Sequence, residues 1–294
     1  MKKILKYIKN QFLHFLPDSL YLRYVYWRCM GKWLNLSNPQ TFNEKLQWLK
    51  LHDRNPLYTT LVDKYAVKKW VADKIGAQYI IPTLGVWDRF DEIDFDKLPS
   101  QFVLKTTHDS GGVVICHDKN TFDKQAARKR LEKSLKTNFY YMGREWPYKD
   151  VPRKIIAEKY MVDDKTQELR DYKFFCFHGT PTYCQVISDR STNECIDFFD
   201  MEWNLQEFTG LQCPHYPHYP HYPHQIEKPI CFEQMKQACG VLSKDIPFVR
   251  VDFYEVNGKM YFGELTFFPA SGFGQFTPTQ WNRTIGNYLT LPLK

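Results

Sequence analysis

Apolar residues recur at helical spacing through the first 75 or so positions. In residues 1–17, Ile4, Leu5, Ile8, Phe12 and Phe15 share a face, with Lys2, Lys3, Lys6 and Lys9 between them. In TFNEKLQWLKL, Phe42, Leu46 and Leu49 form a stripe, and Thr41 and Glu44 have the spacing of a capping box. A further helix is predicted through residues 57–76, closed by Gly76. The pattern then changes. YIIPTLGVWDRF reads as strand, turn, strand, and QFVLKTTHDSGGVVIC as a hairpin around a glycine turn. A Lys- and Arg-rich helix follows over about 121–138, then a buried strand in KIIAEKYM. LRDYKFFCFHGTPTYCQVIS predicts a hairpin, CFEQMKQACGVLSKD a helix, and FVRVDFYEVNGKMYFGELTFFP a hairpin turned at Asn257-Gly258. Hairpins separated by helices predict an α+β fold with mostly antiparallel sheets. No GxGxxG opens a helix after a strand, which argues against a dinucleotide-binding unit.

Composition changes this picture little. The chain has 294 residues, 43% apolar and 17% aromatic, ample for a packed core. The net charge of +7 favours anionic partners, but no basic block with interleaved aromatics points to nucleic acid. None of the eight cysteines forms a CxxC pair, so buried thiols in a reduced, cytoplasmic protein are expected. The N-terminal segment lacks a small-residue cleavage site. It reads either as a helix docked on the body or as one resting on an anionic membrane face. The tract PHYPHYPHYPH at 214–224 suits polyproline II. Its histidines could line a metal-binding edge. The plainer reading is an expanded repeat in a surface loop that tolerates deletion.

Three clusters carry candidate chemistry. Asp252 and Glu264 fall on opposite strands of the last hairpin, five residues before its turn and six after it. Carboxylates in an otherwise apolar sheet must be paired or bind a cation. Mg²⁺ would account for both; a salt bridge with Arg250 or Lys259 is the alternative. Lys105 ends a strand just before Asp109-Ser110-Gly111-Gly112, where glycines allow backbone amides close to phosphate oxygens, although the Walker spacing is absent. Glu158-Lys159-Tyr160-Met161 leaves an apolar strand and could meet an adenine edge. Asp171, Lys173, Asp189 and Arg190 flank the DYKFFCF hairpin, where a lysine and an arginine would suit a carboxylate or acylphosphate, against the alternative of a surface ion pair.

In this order the clusters resemble the ATP-grasp superfamily, in which two small antiparallel lobes close on ATP. More closely, NPQTFNEKLQWLKLHDRNPLYTTLVDKYAVKKWVADKIG, FVLKTTHDSGGVVIC, GREWPYKDVPRKIIAEKYM, DYKFFCFHG and FVRVDFYEVNGKMYFGELTFFPASGF look like the TupA-like (teichuronopeptide biosynthesis) branch, over about 35–292. The resemblance implies a helical region with short strands at 1–95, a small lobe at 96–157 and a large lobe at 158–294. It implies that Lys105 and the turn 109–112 bind ATP phosphates. Glu158, Lys159, Tyr160, Met161 and Asp171 would then hold the nucleotide. Asp252 and Glu264 would hold Mg²⁺, with Thr266 where relatives often carry asparagine. Lys173 and Arg190 are the candidates for catalysis. The implied activity is ADP-forming ligation of a carboxylate to an amine in bacterial surface-polysaccharide synthesis. A uronic-acid sugar or nucleotide sugar and an amino acid or amine are the implied substrates. A glycosyltransferase, whose only candidate metal run is Asp163-Asp164, and a sugar kinase are the alternatives.

Overall fold

The computed structural model describes residues 14–165, 167, 169–188, 194–212 and 219–292. The predicted N-terminal helix falls largely outside them, as do Asp189 and Arg190. No helix among the described residues is long and apolar enough to cross a membrane.

Four helices open the described chain: α1 Asp18–Met30, α2 Phe42–His52, α3 Leu57–Val62 and α4 Ala66–Ile75. The capping box is present on α2: Thr41 accepts from the Glu44 amide, and Glu44 accepts from the Thr41 amide. The single helix expected over 57–76 is instead two. Asp63 is the reason, since its carboxylate accepts from the amides of Tyr65 and Ala66 and so caps a new helix. The strand pair expected in 79–90 is one strand, β1 Thr83–Trp87, because Ile80 makes only an isolated bridge, to Phe262.

A four-stranded antiparallel sheet follows in the order β1, β4 (Ile155–Lys159), β2 (Phe102–Thr106), β3 (Val113–Cys116). Helix α5 (Lys124–Leu135) covers it through Ala127 and Leu131, and α6 (Tyr140–Gly143) leads to β4. The boundaries expected at 95/96 and 157/158 cut this sheet: β1 precedes the first and β4 straddles the second. The sheet, not the helical region, claims β1.

The second sheet has five antiparallel strands in the order β10 (Lys259–Thr266), β9 (Phe248–Val256), β5 (Asp171–Phe177), β6 (Thr180–Ser188), β7 (Cys195–Phe199). Helix α7 (Phe232–Leu242) packs Phe232 against Phe174, while Phe42 of α2 packs against Phe175 and Phe248. Buried Cys176, Cys184 and Cys239 act there as small apolar side chains. Strands β8 (Thr209–Gln212) and β11 (Gln275–Thr277) and helix α8 (Trp281–Asn287) had no counterpart in the sequence analysis.

The described end of the Pro-His-Tyr tract departs from a solvated loop. Strand β7 is a sheet edge, and Ile196 donates to the carbonyl of Pro220. Asp197, 2% exposed, meets His221 Nδ1 at 2.7 Å and accepts from the Tyr222 amide at 3.1 Å. Tyr219 and Tyr222 pack on the core. His215 and His218 lie outside the described residues. Deleting 214–224 is therefore expected to lower stability, because a buried carboxylate stripped of its donors costs about 1–3 kcal/mol. A urea midpoint shared by deletion variant and parent would contradict this docking.

Candidate active site

The last hairpin sets the geometry. A two-residue turn pairs Lys259 with Val256, and this register holds to Phe262 opposite Phe253. Continued unchanged, it would place Glu264 opposite Val251, on the other face from Asp252. A bulge at Gly263 shifts it by one, so Glu264 stands opposite Asp252 and Thr266 opposite Arg250. A Cβ at 263 would sit 3.0 Å from the Asp252 carbonyl oxygen, which favours glycine there.

Both carboxylates thus share a face, with Arg250 between them. Arg250 donates to Asp252 at 2.7 and 2.6 Å, to Glu264 at 3.1 Å and to Thr266 Oγ1 at 3.0 Å. Thr266 in turn donates to Glu264 at 3.1 Å. Lys173, opposite Asp252 on β5, reaches it at 2.6 Å and Asp171 at 3.2 Å. Of the two salt-bridge partners that the sequence offered, Arg250 is the one used. Asp252, 1% exposed, is closed under two cations. Glu264 keeps 42% of its side chain exposed. Burial alone would raise its carboxyl, but Lys173, Arg250 and Lys64 overcome this and hold it at about 2. An ionised, half-open carboxylate fits a divalent cation. Asp252 fits one only by exchanging a partner.

The glycine turn 109–112 joins β2 to β3. Asp109 is its brace rather than an open ligand. It accepts from Thr106 Oγ1 at 2.5 Å, from Ser134 Oγ and from the Gly112 amide at 3.1 Å. These donors hold its carboxyl low against the burial that would raise it. Gly112 is required for packing, since a Cβ there would lie 1.9 Å from Thr106 Oγ1. A Cβ at Gly111 would make only an ordinary contact, with Asp109 Oδ2 at 3.8 Å, and Ser110 is exposed.

Lys105 pairs with Glu158 at 2.6 Å, and Lys68 of α4 takes the other Glu158 oxygen at 2.5 Å. Glu158 is buried, and these lysines hold its carboxyl low against its burial. Its carboxylate therefore faces the lysines, not an open adenine edge. Lys159 is exposed and donates its amide to the Pro82 carbonyl, while Tyr160 and Met161 are half-buried.

Sequence reasoning missed Lys64, which is bonded to the glycine-turn segment through both its amide and its ammonium. The break at Asp63 turns it inward, its amide donating to Thr107 and its ammonium to the carbonyl of Asp109. Burial lowers its affinity for a proton, and Glu264, Asp109 and Glu158 restore part of it. Asp63, a strong cap former inside a predicted helix, was the available signal. The Asp163-Asp164 run is committed elsewhere: both carboxylates accept from Asn257 at the hairpin tip, at 2.8 and 2.9 Å. Among the described residues no group of three or more His, Cys, Asp or Glu side chains is placed to hold a metal.

No curated protein matches this chain. Among solved structures it is similar to the D-alanine–D-alanine ligase of Bacillus anthracis complexed with ATP, at 18% identity over 70% of this chain and 53% of that one, TM-score 0.40. It is similar also to the D-alanine–D-alanine ligase of Helicobacter pylori, at 14% over 84% and 69%, TM-score 0.42. The D-cycloserine synthetase DcsG is similar at 13% over 74% and 65%, TM-score 0.40. The chain spans about half the length of the first of these ligases. The family model for TupA-like ATPgrasp proteins matches residues 44–290, across both sheets and the site residues from Lys64 to Thr266. The chain belongs to the TupA-like ATPgrasp family.

Proposed function

We propose that this protein is an ATP- and Mg²⁺-dependent ligase that joins a carboxylate, in our reading a uronic acid of a sugar or nucleotide sugar, to an amino acid or amine for bacterial surface polysaccharide. One observation carries the reading. Lys64 donates to the Asp109 carbonyl of the glycine turn, and its charge, with those of Lys173 and Arg250, keeps Glu264 ionised. A cluster of lysines facing an ionised, half-open carboxylate across a cleft suits a polyphosphate bridged by a metal.

In this reading Lys64 and Lys105 bind the phosphates, and the backbone of 110–112 covers them. Lys159, Tyr160 and Met161 line the base, with Asp171 and Glu158 ordering the lysines around it. Glu264, Thr266 and, on exchange of a partner, Asp252 would hold Mg²⁺, which supplies charge neutralisation between phosphate oxygens. Arg250 keeps a cation beside the γ-phosphate. Lys173 would orient the acceptor carboxylate. Arg190, outside the described residues, is the second candidate for that task.

The acceptor carboxylate oxygen attacks the γ-phosphorus and the bond to the β-phosphate oxygen breaks, releasing ADP. The amine then attacks the acyl carbon, phosphate leaves, and the amine proton is lost to solvent. No protein nucleophile is needed, so the chain's contribution is placement and charge. The resemblance to the teichuronopeptide-biosynthesis branch supports the substrate pair. The commitment of Asp163 and Asp164 to the hairpin tip counts against a glycosyltransferase metal motif.

Two glycines separate fold from function. Gly111→Ala should fold with an unchanged Tm yet bind ATP about tenfold more weakly, some 1.4 kcal/mol. Gly112→Ala should lower the Tm outright, because its methyl group collides with Thr106 and Ser134. Equal ATP affinity for Gly111→Ala and parent, measured by calorimetry, would remove the turn from the phosphate site.

Glu264→Gln keeps the shape and loses the charge. The Mg²⁺ concentration for half-maximal ADP release should rise about tenfold or more, with little loss of stability. Unchanged Mg²⁺ dependence in a folded variant would assign Glu264 to structure alone.

A further inference from the structure

After Thr266 the chain enters an unusual turn. Ala270 and Ser271 have φ of 47° and 51°, and Gly272 follows at 63°. Two consecutive non-glycine residues in left-handed form are rarely found without outside help. The help comes from α2. Asn43, Gln47 and Lys50, at spacings of four and three, fall on one helix face, and all are buried. Asn43 Nδ2 donates to the carbonyls of Gly272 and Gly274, each at 2.8 Å. Gln47 Nε2 donates to those of Ser271 at 3.2 Å and Gly272 at 2.8 Å. Lys50 Nζ donates to those of Gly143 at 2.6 Å and Ser271 at 2.8 Å. Because their partners are carbonyl oxygens, both amides must present their NH₂ groups, which fixes their orientation.

Lys50 is 1% exposed; its ammonium donates to these two carbonyls and lies 4.8 and 5.5 Å from the rings of Phe273 and Phe268. From the far side Ser271 Oγ donates to buried Glu145. Thr266, whose hydroxyl meets Arg250 and Glu264 on the carboxylate face, lies three residues before Pro269, so the turn continues the chain from that face. Its outer surface is open, Ala270 being exposed.

We infer that Asn43, Gln47 and Lys50 are positioning residues: they hold Ala270–Gly272 in the left-handed form that bounds the acceptor end of the cleft. The inference rests on the ligase reading for the word acceptor; the clamp itself rests on the six hydrogen bonds just described. Helix α2 thereby acts on the second substrate without touching it. Ala270, the exposed residue at the apex, is held in a conformation that glycine would adopt unaided.

The test uses the full chain with glucuronate, hydroxylamine and Mg·ATP. In Lys50→Met the KM for glucuronate in ADP release should rise about tenfold while the KM for ATP stays within about twofold. Amides 270–274 should exchange with deuterium about tenfold faster, with little change in β9 and β10. Adding Ala270→Gly to Lys50→Met should recover at least about threefold of the glucuronate KM, because glycine does not resist left-handed φ. Gln47→Met removes two donors without disturbing a charge, and serves if Lys50→Met fails to fold. Equal rises in both KM values, or unchanged exchange at 270–274, would overturn the inference. Should the parent protein release no ADP with glucuronate, the uronate reading falls, and the exchange measurement and its Ala270→Gly counterpart decide the clamp alone.

Discussion

The ion network around Arg250 is the constraint on which the large lobe depends. Five charged side chains, Asp171, Lys173, Arg250, Asp252 and Glu264, lie on one face of three adjacent strands. Such groups leave water only if each meets an opposite charge, and removing one partner from a buried pair costs about 3–5 kcal/mol. Asp252 shows the consequence, with Arg250 on both its oxygens and Lys173 on one. Strand register is thereby pinned chemically as well as by packing. A one-residue slip would carry the whole set into the aromatic core on the other face, where Phe174, Phe253 and Phe232 meet. The same network leaves Glu264 ionised and half-open, and so couples the fold to the chemistry proposed for it.

Lys64 extends that coupling to the other lobe. Helix α4 starts where it does because Asp63 caps it, and the cap turns the next residue toward the glycine turn. An uninterrupted helix would have carried Lys64 around with its neighbours. Breaking the helix also seats Lys68 on Glu158, which in turn holds Lys105. Lys68 of α4 and Lys105 of β2 thus share one buried carboxylate, while Lys64, between α3 and α4, holds the glycine turn.

Much of this was legible in the sequence because it is written in short-range patterns. Thr41 and Glu44, the Asn257-Gly258 turn, and the strand ends at Lys105 and Glu158 each act within a few residues. The pairing of Asp252 with Glu264 was legible too, though only through a bulge, and Gly263 was the mark of it. Asp63 was hidden inside a convincing apolar stripe, where its capping role competes with helix periodicity. The commitment of Glu158 to two lysines and the clamp of α2 on 269–274 depend on contacts across more than fifty residues, which no local pattern encodes. The docking of Tyr219, His221 and Tyr222 on β7 was obscured for another reason, since low-complexity composition reads as solvated loop even where one repeat finds a buried carboxylate.

The central claim is that an acceptor carboxylate becomes the nucleophile toward the γ-phosphate of ATP in this cleft. Positional isotope transfer tests it most directly. With ¹⁸O in both carboxylate oxygens of the acceptor, one label must pass through the acylphosphate into the released phosphate, in a ratio of one ¹⁸O per amide formed. That result, with ADP as the nucleotide product, is the expected outcome. Phosphate free of ¹⁸O, or AMP in place of ADP, would contradict the account.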